Sequence, residues 1–546
     1  MESRKMPQRF YDNYKNKGFH FPTSLLTTYC LSLNTKPFVI LSGISGTGKT
    51  KIAQLFSIPA NNINEVMNKT EQNIPQTGFL YITVRNTWTH GDGRTNFRYE
   101  TLTTLLTPEE IAAIEPRKLQ LIEEGLTNNF SPFYPFTIED SAGKIIHGEF
   151  YLQRPQSPLV RIRFKSRANG PLTFDSRAYF EEHYSDGDII QLESIGLRQF
   201  RIVEAQAEDI QTAVDTLEER ELAHTERICF IPVKSDWTDS SELFGHYNLI
   251  EQKYHLTKFL KFLLIAREYP NYPFFLILDE MNLSKVEHYF SDFLSCLESR
   301  YIMHDNSVFQ EKINLHSSND LLSTDDSDYE FIPSSLEIPL NLYVTGTVNI
   351  DESTYMFSSK VLDRANVIEF NHVDLHLYGQ TLPDNAIEET EIFKLNTFPN
   401  FSRLKLAKKE NYENLSVTIK MHIEEINKIL AKYHKHFGYR TANEIALYIE
   451  HAKEYIADTE DVELRALDFQ LVQKAFPKLS GGYASLELLL RELLKYFGGI
   501  TKSLNEITAD DINNISLEGK EFPIALAKLK RMYNSLLQNG FTNFIE

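Results

Sequence analysis

Phe38-Val-Ile-Leu-Ser-Gly43-Ile-Ser-Gly46-Thr-Gly48-Lys49-Thr50 decides how the rest of this chain is read. Its first half is a short apolar run with β-branched residues, which predicts a buried strand. The residues that follow it, Lys51-Ile-Ala-Gln-Leu-Phe56, have helical spacing. The glycine-rich turn between them fits G-x4-G-K-[ST] at every fixed position and in strand-loop-helix order. Such a turn binds phosphate for physical reasons. Glycines let backbone N–H groups turn inward around the anion, and the helix N-terminus adds partial positive charge. Lys49 reaches the β and γ phosphates, and the Thr50 hydroxyl ligates magnesium. Gly43, Gly46, Gly48, Lys49 and Thr50 are therefore the candidate nucleotide-binding residues, with a nucleoside triphosphate as ligand and Mg2+ as cofactor. The alternative is an ordinary glycine turn before a helix.

Working outward, further strand candidates lie at 228–233, 274–278, 342–345 and 367–370, with helical patterns at 255–269 and 286–299. Alternation of this kind predicts an α/β core with a parallel sheet. The chain between Thr50 and Asp279 is far longer than one helix, one strand and their loops require, so 61–222 is expected to be an inserted domain. Its second half looks β-rich, with strand-like runs at 150–152, 160–164, 188–192 and 199–203 separated by turn signals, as in a small barrel or sandwich. A second insertion is expected at 306–328. From 372 to 546 the pattern is helical, clearest at 417–436. The expected organisation is thus 1–60 and 223–371 for the core, 61–222 for the insertion and 372–546 for a helical lid and C-terminal region.

Leu276-Ile-Leu-Asp279-Glu280 is an apolar strand ending in two carboxylates, expected on the strand beside the phosphate loop. There Asp279 would hold the metal and Glu280 would orient and deprotonate the attacking water. The plain alternative is a solvent-facing acidic strand end. Asn349, closing Thr345-Gly-Thr-Val-Asn349, either positions the same water or caps the next segment. Arg364 either projects toward a neighbour's triphosphate or pairs with Asp363 or Glu369.

The 546 residues, 42% hydrophobic and 24% charged, have a globular composition, which argues against long disorder or a fibrous repeat. Three scattered cysteines suggest neither a disulfide framework nor a zinc site, and a reducing cytoplasm is expected. No apolar run approaches the roughly 18 residues that span a bilayer, so no membrane association is expected. The net charge of −19 means that any nucleic-acid contact must rest on a local basic patch.

These motifs in this order resemble the AAA+ superfamily, and their wording is similar to the McrB-like branch of restriction NTPases, related to the dynein and MoxR group. Besides the phosphate loop, the resemblance is carried by the stretch from Val233 to Asn248, by Leu278-Asp-Glu-Met-Asn-Leu-Ser-Lys-Val-Glu-His-Tyr-Phe290, by Gly346-Thr-Val-Asn-Ile-Asp-Glu-Ser-Thr354 and by Lys360-Val-Leu-Asp-Arg-Ala-Asn366. It implies that Lys49 and Thr50 bind nucleotide and magnesium, and that Asp279 and Glu280 are the Walker B pair. Asn349 would be the first sensor, Arg364 an arginine finger acting in trans, and Arg440 a second sensor from the helical lid. It also implies a homo-oligomeric ring, commonly a hexamer, and a separately encoded McrC-type nuclease as partner. This chain departs from the family after Asn349, where Ile350-Asp351-Glu352-Ser353 replaces the usual Thr-Ala-Asp-Arg.

Only about forty residues precede Gly43, so the insertion is the candidate DNA reader. Arg161, Arg163, Lys165 and Arg167 alternate along it, which on a strand lines one face, near Tyr179 and Phe180. Its strand-helix-strand order looks like a DNA-binding pseudobarrel. The other reading is a solvated basic face with core aromatics. Three functions follow as expectations: a ring NTPase that recognises or translocates DNA and drives a nuclease in restriction and defence, a MoxR-like chaperone ATPase, or a nucleotide-gated DNA-binding regulator.

Overall fold

The computed structural model describes residues 6–56, 79–83, 94–98, 105–123, 131–153, 159–163, 179, 182–184, 188–203, 227–304, 307–318, 322–325, 331–350, 355–370, 393–401, 404–456 and 461–545. Five parallel strands form the central sheet, in the spatial order Asn366–Glu369, Phe38–Gly43, Leu342–Asn349, Phe274–Asp279, Ile228–Pro232. The central three are buried almost throughout, so their runs are apolar rather than alternating, as in a parallel sheet covered on both faces. The protein is therefore α/β, with helices following at the C-terminal end.

Several expectations need correction. The acidic strand Phe274–Asp279 is not beside the phosphate-loop strand, because Leu342–Asn349 lies between them and pairs with both. That middle strand also runs on past Thr345, since Gly346 leaves room for a neighbour. A Cβ at Gly346 would lie 2.0 Å from the Met281 sulfur. Gly346→Ala is expected to destabilise the fold by about 1–3 kcal/mol, read as a lower urea midpoint. The single helix expected over 286–299 is two, Val286–Tyr289 and Ser291–Glu298. They break at Phe290, whose ring turns inward to stack on Phe293 at 4.5 Å and meet Phe38 at 5.5 Å.

The insertion contains a closed seven-stranded barrel, Phe79–Thr83, Arg94–Arg98, Leu159–Arg163, Ile145–Gln153, Tyr134–Glu139, Gln199–Val203 and Ile189–Gly196 in spatial order. Three of its strands, Phe79–Thr83, Arg94–Arg98 and Tyr134–Glu139, come from the half in which no strand is expected. The first two are needed for closure, because Phe79–Thr83 pairs with Ile189–Gly196 on one side and with Arg94–Arg98 on the other. Leu80, Ile82, Phe136, Ile138, Phe150 and Ile162 fill the interior.

The C-terminal module is built on helices Val417–Lys432, Tyr439–Tyr455, Val462–Gln470, Tyr483–Gly498 and Pro523–Asn539, with a π-turn at Leu471–Ala475. The first stops at Lys432 rather than 436, as His434 takes a left-handed φ of 58° and Lys435 N–H donates to the Leu430 carbonyl at 3.0 Å. The module shares one hydrophobic core with the sheet. A polar seam also joins them: His451 Nδ1 lies 3.1 Å from Thr35 Oγ1 and 3.3 Å from Asn34 Nδ2, and Ser32 donates to Gln473 at 2.9 Å.

Burial pushes the His451 imidazole down from 6.5 to about 4, so the folded protein holds it neutral. Between these values the unfolded chain binds a proton that the folded chain does not. Stability is therefore intact above pH 6.5 and falls as pH drops toward 4, with about 3 kcal/mol lost in all. Urea unfolding across pH 4–7 should show this slope in the wild type. In His451→Gln it should be flatter by that amount, and equal slopes would remove His451 as the cause.

Candidate nucleotide-binding site

The phosphate-loop strand delivers Gly43 to the C-terminal end of the sheet, and helix Lys49–Gln54 leaves from the far side of the turn. Gly46 and Gly48 have φ of 82° and 92°, conformations that other residues adopt at a cost. Gly43 is required for a different reason. A Cβ there would meet the Phe370 carbonyl oxygen at 2.3 Å. Lys49 Nζ folds back to donate to the carbonyls of Gly43 at 2.8 Å and Ile44 at 2.6 Å. Desolvation pushes its pKa down, and Asp279 and Glu280 act in the opposite direction.

Asp279 and Glu280 arrive at the same end from Phe274–Asp279. Asp279 Oδ1 accepts from Thr50 Oγ1 and from Thr347 Oγ1, each at 2.7 Å. Glu280 has a left-handed φ of 52°, a strained backbone for a non-glycine residue and one that recurs at functional sites. Its N–H donates to Thr347 Oγ1 at 2.9 Å, and its Oε1 accepts from Asn349 Nδ2 at 2.6 Å. Asn282 Nδ2 in turn donates to the Asn349 carbonyl at 3.0 Å.

The structure thus brings together Lys49, Thr50, Asp279, Glu280 and Asn349, and the interposed strand makes this possible. Neither Thr347 nor Asn282 belongs to a motif that marks it in the sequence. For Thr347 a signal exists: it lies two residues before Asn349, so both face the same side of the strand. A hydroxyl beside a carboxylate, Thr50 against Asp279, fits magnesium, which takes one or two protein ligands and fills its shell with water and phosphate oxygens. Among the described residues no cluster of three or more His, Cys, Asp or Glu could hold a metal without such help.

Arg364 and Arg440 are not part of this group. Asn366 pairs with Val39, so Arg364 lies about level with Pro37, at the N-terminal end of the sheet. At about 3.3 Å per residue the phosphate loop is roughly 20 Å away. There Arg364 pairs with Glu298, not with Asp363 or Glu369. Asp363 pairs with Lys478, and Glu369 with Lys528 and Arg531. Arg440 reaches the same Glu298, so it stands beside Arg364 and not over its own phosphate loop.

In the barrel, Arg161 and Arg163 alternate with the buried Val160 and Ile162 and stand opposite Asn96 and Arg94 in register. Lys165, Arg167 and Phe180 lie outside the described residues. Tyr179 is not displayed for a ligand: it is buried and its hydroxyl donates to Asp140 Oδ2 at 3.0 Å.

Residues 389–541 match a domain family of unknown function, DUF8727. A comparison with curated proteins finds no match to the chain. The matched span is the helical module, so Arg440, Glu444, His451 and Lys474 are all residues of that domain. The phosphate loop and the acidic strand lie outside it. Among the described residues no helix is long and apolar enough to cross a membrane.

Proposed function

We propose that this protein is a magnesium-dependent nucleoside triphosphatase of the AAA+ type, McrB-like, hydrolysing ATP or GTP. The observation that carries the reading is the pair of linked contacts at one sheet end, Thr50 and Thr347 on Asp279 and Asn349 on Glu280. When bound, magnesium would be held by Thr50 and Asp279 and would neutralise charge on the triphosphate. Lys49 is released from the loop carbonyls to meet the β and γ phosphates. Glu280 accepts the proton of the attacking water, and the Asn349 amide holds the carboxylate in the orientation this requires. Thr347 keeps Asp279 and the Glu280 backbone in register.

The sheet register fits a ring in which Arg364 serves a neighbouring copy. Arg364 is too far from its own phosphate loop to stabilise charge there, so the triphosphate it serves belongs to another copy. The resemblance extends the proposal to a homo-oligomer, commonly a hexamer, that drives a McrC-type nuclease and meets DNA through the barrel, with Arg161, Arg163, Lys165 and Arg167 as the positions to test. Steady-state hydrolysis of ATP and GTP, with and without duplex DNA at one fixed low salt concentration, is the test. Hydrolysis that DNA stimulates, with the stimulation lost in Arg161→Ala/Arg163→Ala, is expected. Hydrolysis indifferent to DNA, with no DNA binding, would favour a protein-remodelling ATPase. No hydrolysis or binding of either nucleotide would remove the proposal.

A further inference from the structure

Glu298 is the last residue of helix Ser291–Glu298, and it is gripped by two guanidinium groups from different parts of the molecule. Arg364 comes from the turn before strand Asn366–Glu369, and Arg440 from the first turn of helix Tyr439–Tyr455 in the C-terminal module. Among the described residues no other carboxylate pairs with either arginine. A carboxylate at the C-terminal end of a helix faces the negative end of its dipole, so the helix itself disfavours Glu298 and the arginines account for its placement. The match is also incomplete. Two positive charges share one negative charge, and the Arg364 Nε is buried without a hydrogen-bond acceptor among the described residues.

What surrounds the pair limits what can move. Lys36 donates to the Asp363 carbonyl at 3.3 Å, and Lys474 donates to the carbonyls of Asp363 at 3.2 Å and Ala365 at 3.0 Å. Lys478 holds the Asp363 carboxylate, and Lys36 and Lys474 both pair with Glu444. Lys36 and Lys474 thus hold the backbone on either side of Arg364, while its guanidinium donates to the Lys360 carbonyl at 3.0 Å and leaves its remaining donors to Glu298. Arg440 is more open, with its side chain 42% exposed.

We propose that Glu298 is a placeholder that occupies Arg364 and Arg440 together until the triphosphate of a second copy of this chain displaces it. The inference rests on the nucleotide hydrolysis proposed above. A triphosphate offers several charged oxygens to two forked donors, including the unfilled Arg364 Nε, where Glu298 offers only two. Exchange of one anion for the other would also untie Arg440, so that the helical module senses the neighbour's nucleotide through a side-chain switch.

The test uses the full chain and follows hydrolysis per subunit against protein concentration for wild type, Glu298→Gln, Glu298→Ala, Arg364→Ala and Lys49→Ala. Removing the competing charge should lower the protein concentration giving half-maximal turnover by at least about threefold in both Glu298 variants. Turnover at saturating protein should stay within about twofold of wild type, a split that general loss of structure would not produce. An unchanged or raised midpoint, turnover that falls in parallel, or wild-type turnover independent of protein concentration would overturn the placeholder. If wild type were no more active than Lys49→Ala and bound no nucleotide, the hydrolysis reading itself would fail and the placeholder with it. A wild type dependent on Lys49 and on concentration, with unresponsive Glu298 variants, would overturn the placeholder alone.

Discussion

Glu280→Gln should lower steady-state hydrolysis by about 10²- to 10⁴-fold while triphosphate binding stays close to wild type. The amide has the same shape as the carboxylate and keeps an oxygen for Asn349 Nδ2, and the backbone contact to Thr347 does not involve the side chain. What disappears is the group proposed to accept a proton from water. Phosphate release and the binding of a fluorescent triphosphate, measured on one preparation, separate the two effects. Lys49→Ala provides the contrast, because it should weaken binding itself. Turnover within twofold of wild type in Glu280→Gln would assign the chemistry elsewhere.

Arg364→Ala is expected to reduce turnover by about 10³-fold or more, the scale on which an arginine stabilises a transferring phosphoryl group. The sheet register predicts something stronger than a loss. Arg364 lies at the opposite end of the sheet from Gly43, so in the proposed assembly the triphosphate it serves is that of a different subunit. Mixing inactive Arg364→Ala with inactive Lys49→Ala should therefore restore part of the activity, because some interfaces then join an intact loop to an intact arginine. A mixture as inactive as its components would rule out this arrangement.

Much of the core could be read directly from the chain. The five strand candidates are the five strands of the central sheet, since a strand buried on both faces must be an uninterrupted apolar run and such runs stand out. The phosphate-loop residues, the two carboxylates and Asn349 were legible because each ends such a run. The barrel was legible only in its second half. Arg94–Arg98 is a polar strand whose partners Phe79–Thr83 and Leu159–Arg163 are far away in sequence, and local pattern carries no trace of such pairing.

Local periodicity and motif spacing thus determined that the chain is α/β, where a glycine-rich turn would follow a strand and which strand would end in acid, because these depend on neighbouring residues alone. The order of strands was decided only in three dimensions. It placed Thr347 and Asn349 between the phosphate loop and the acidic strand, while the direction of strand Asn366–Glu369 put Arg364 at the far end, where Arg440 of the helical module shares Glu298 with it. The physical reason is that a parallel sheet puts all strand ends of one kind on one side. A residue just after a strand and a residue just before one therefore lie on opposite faces of the same domain, however close they are in the chain.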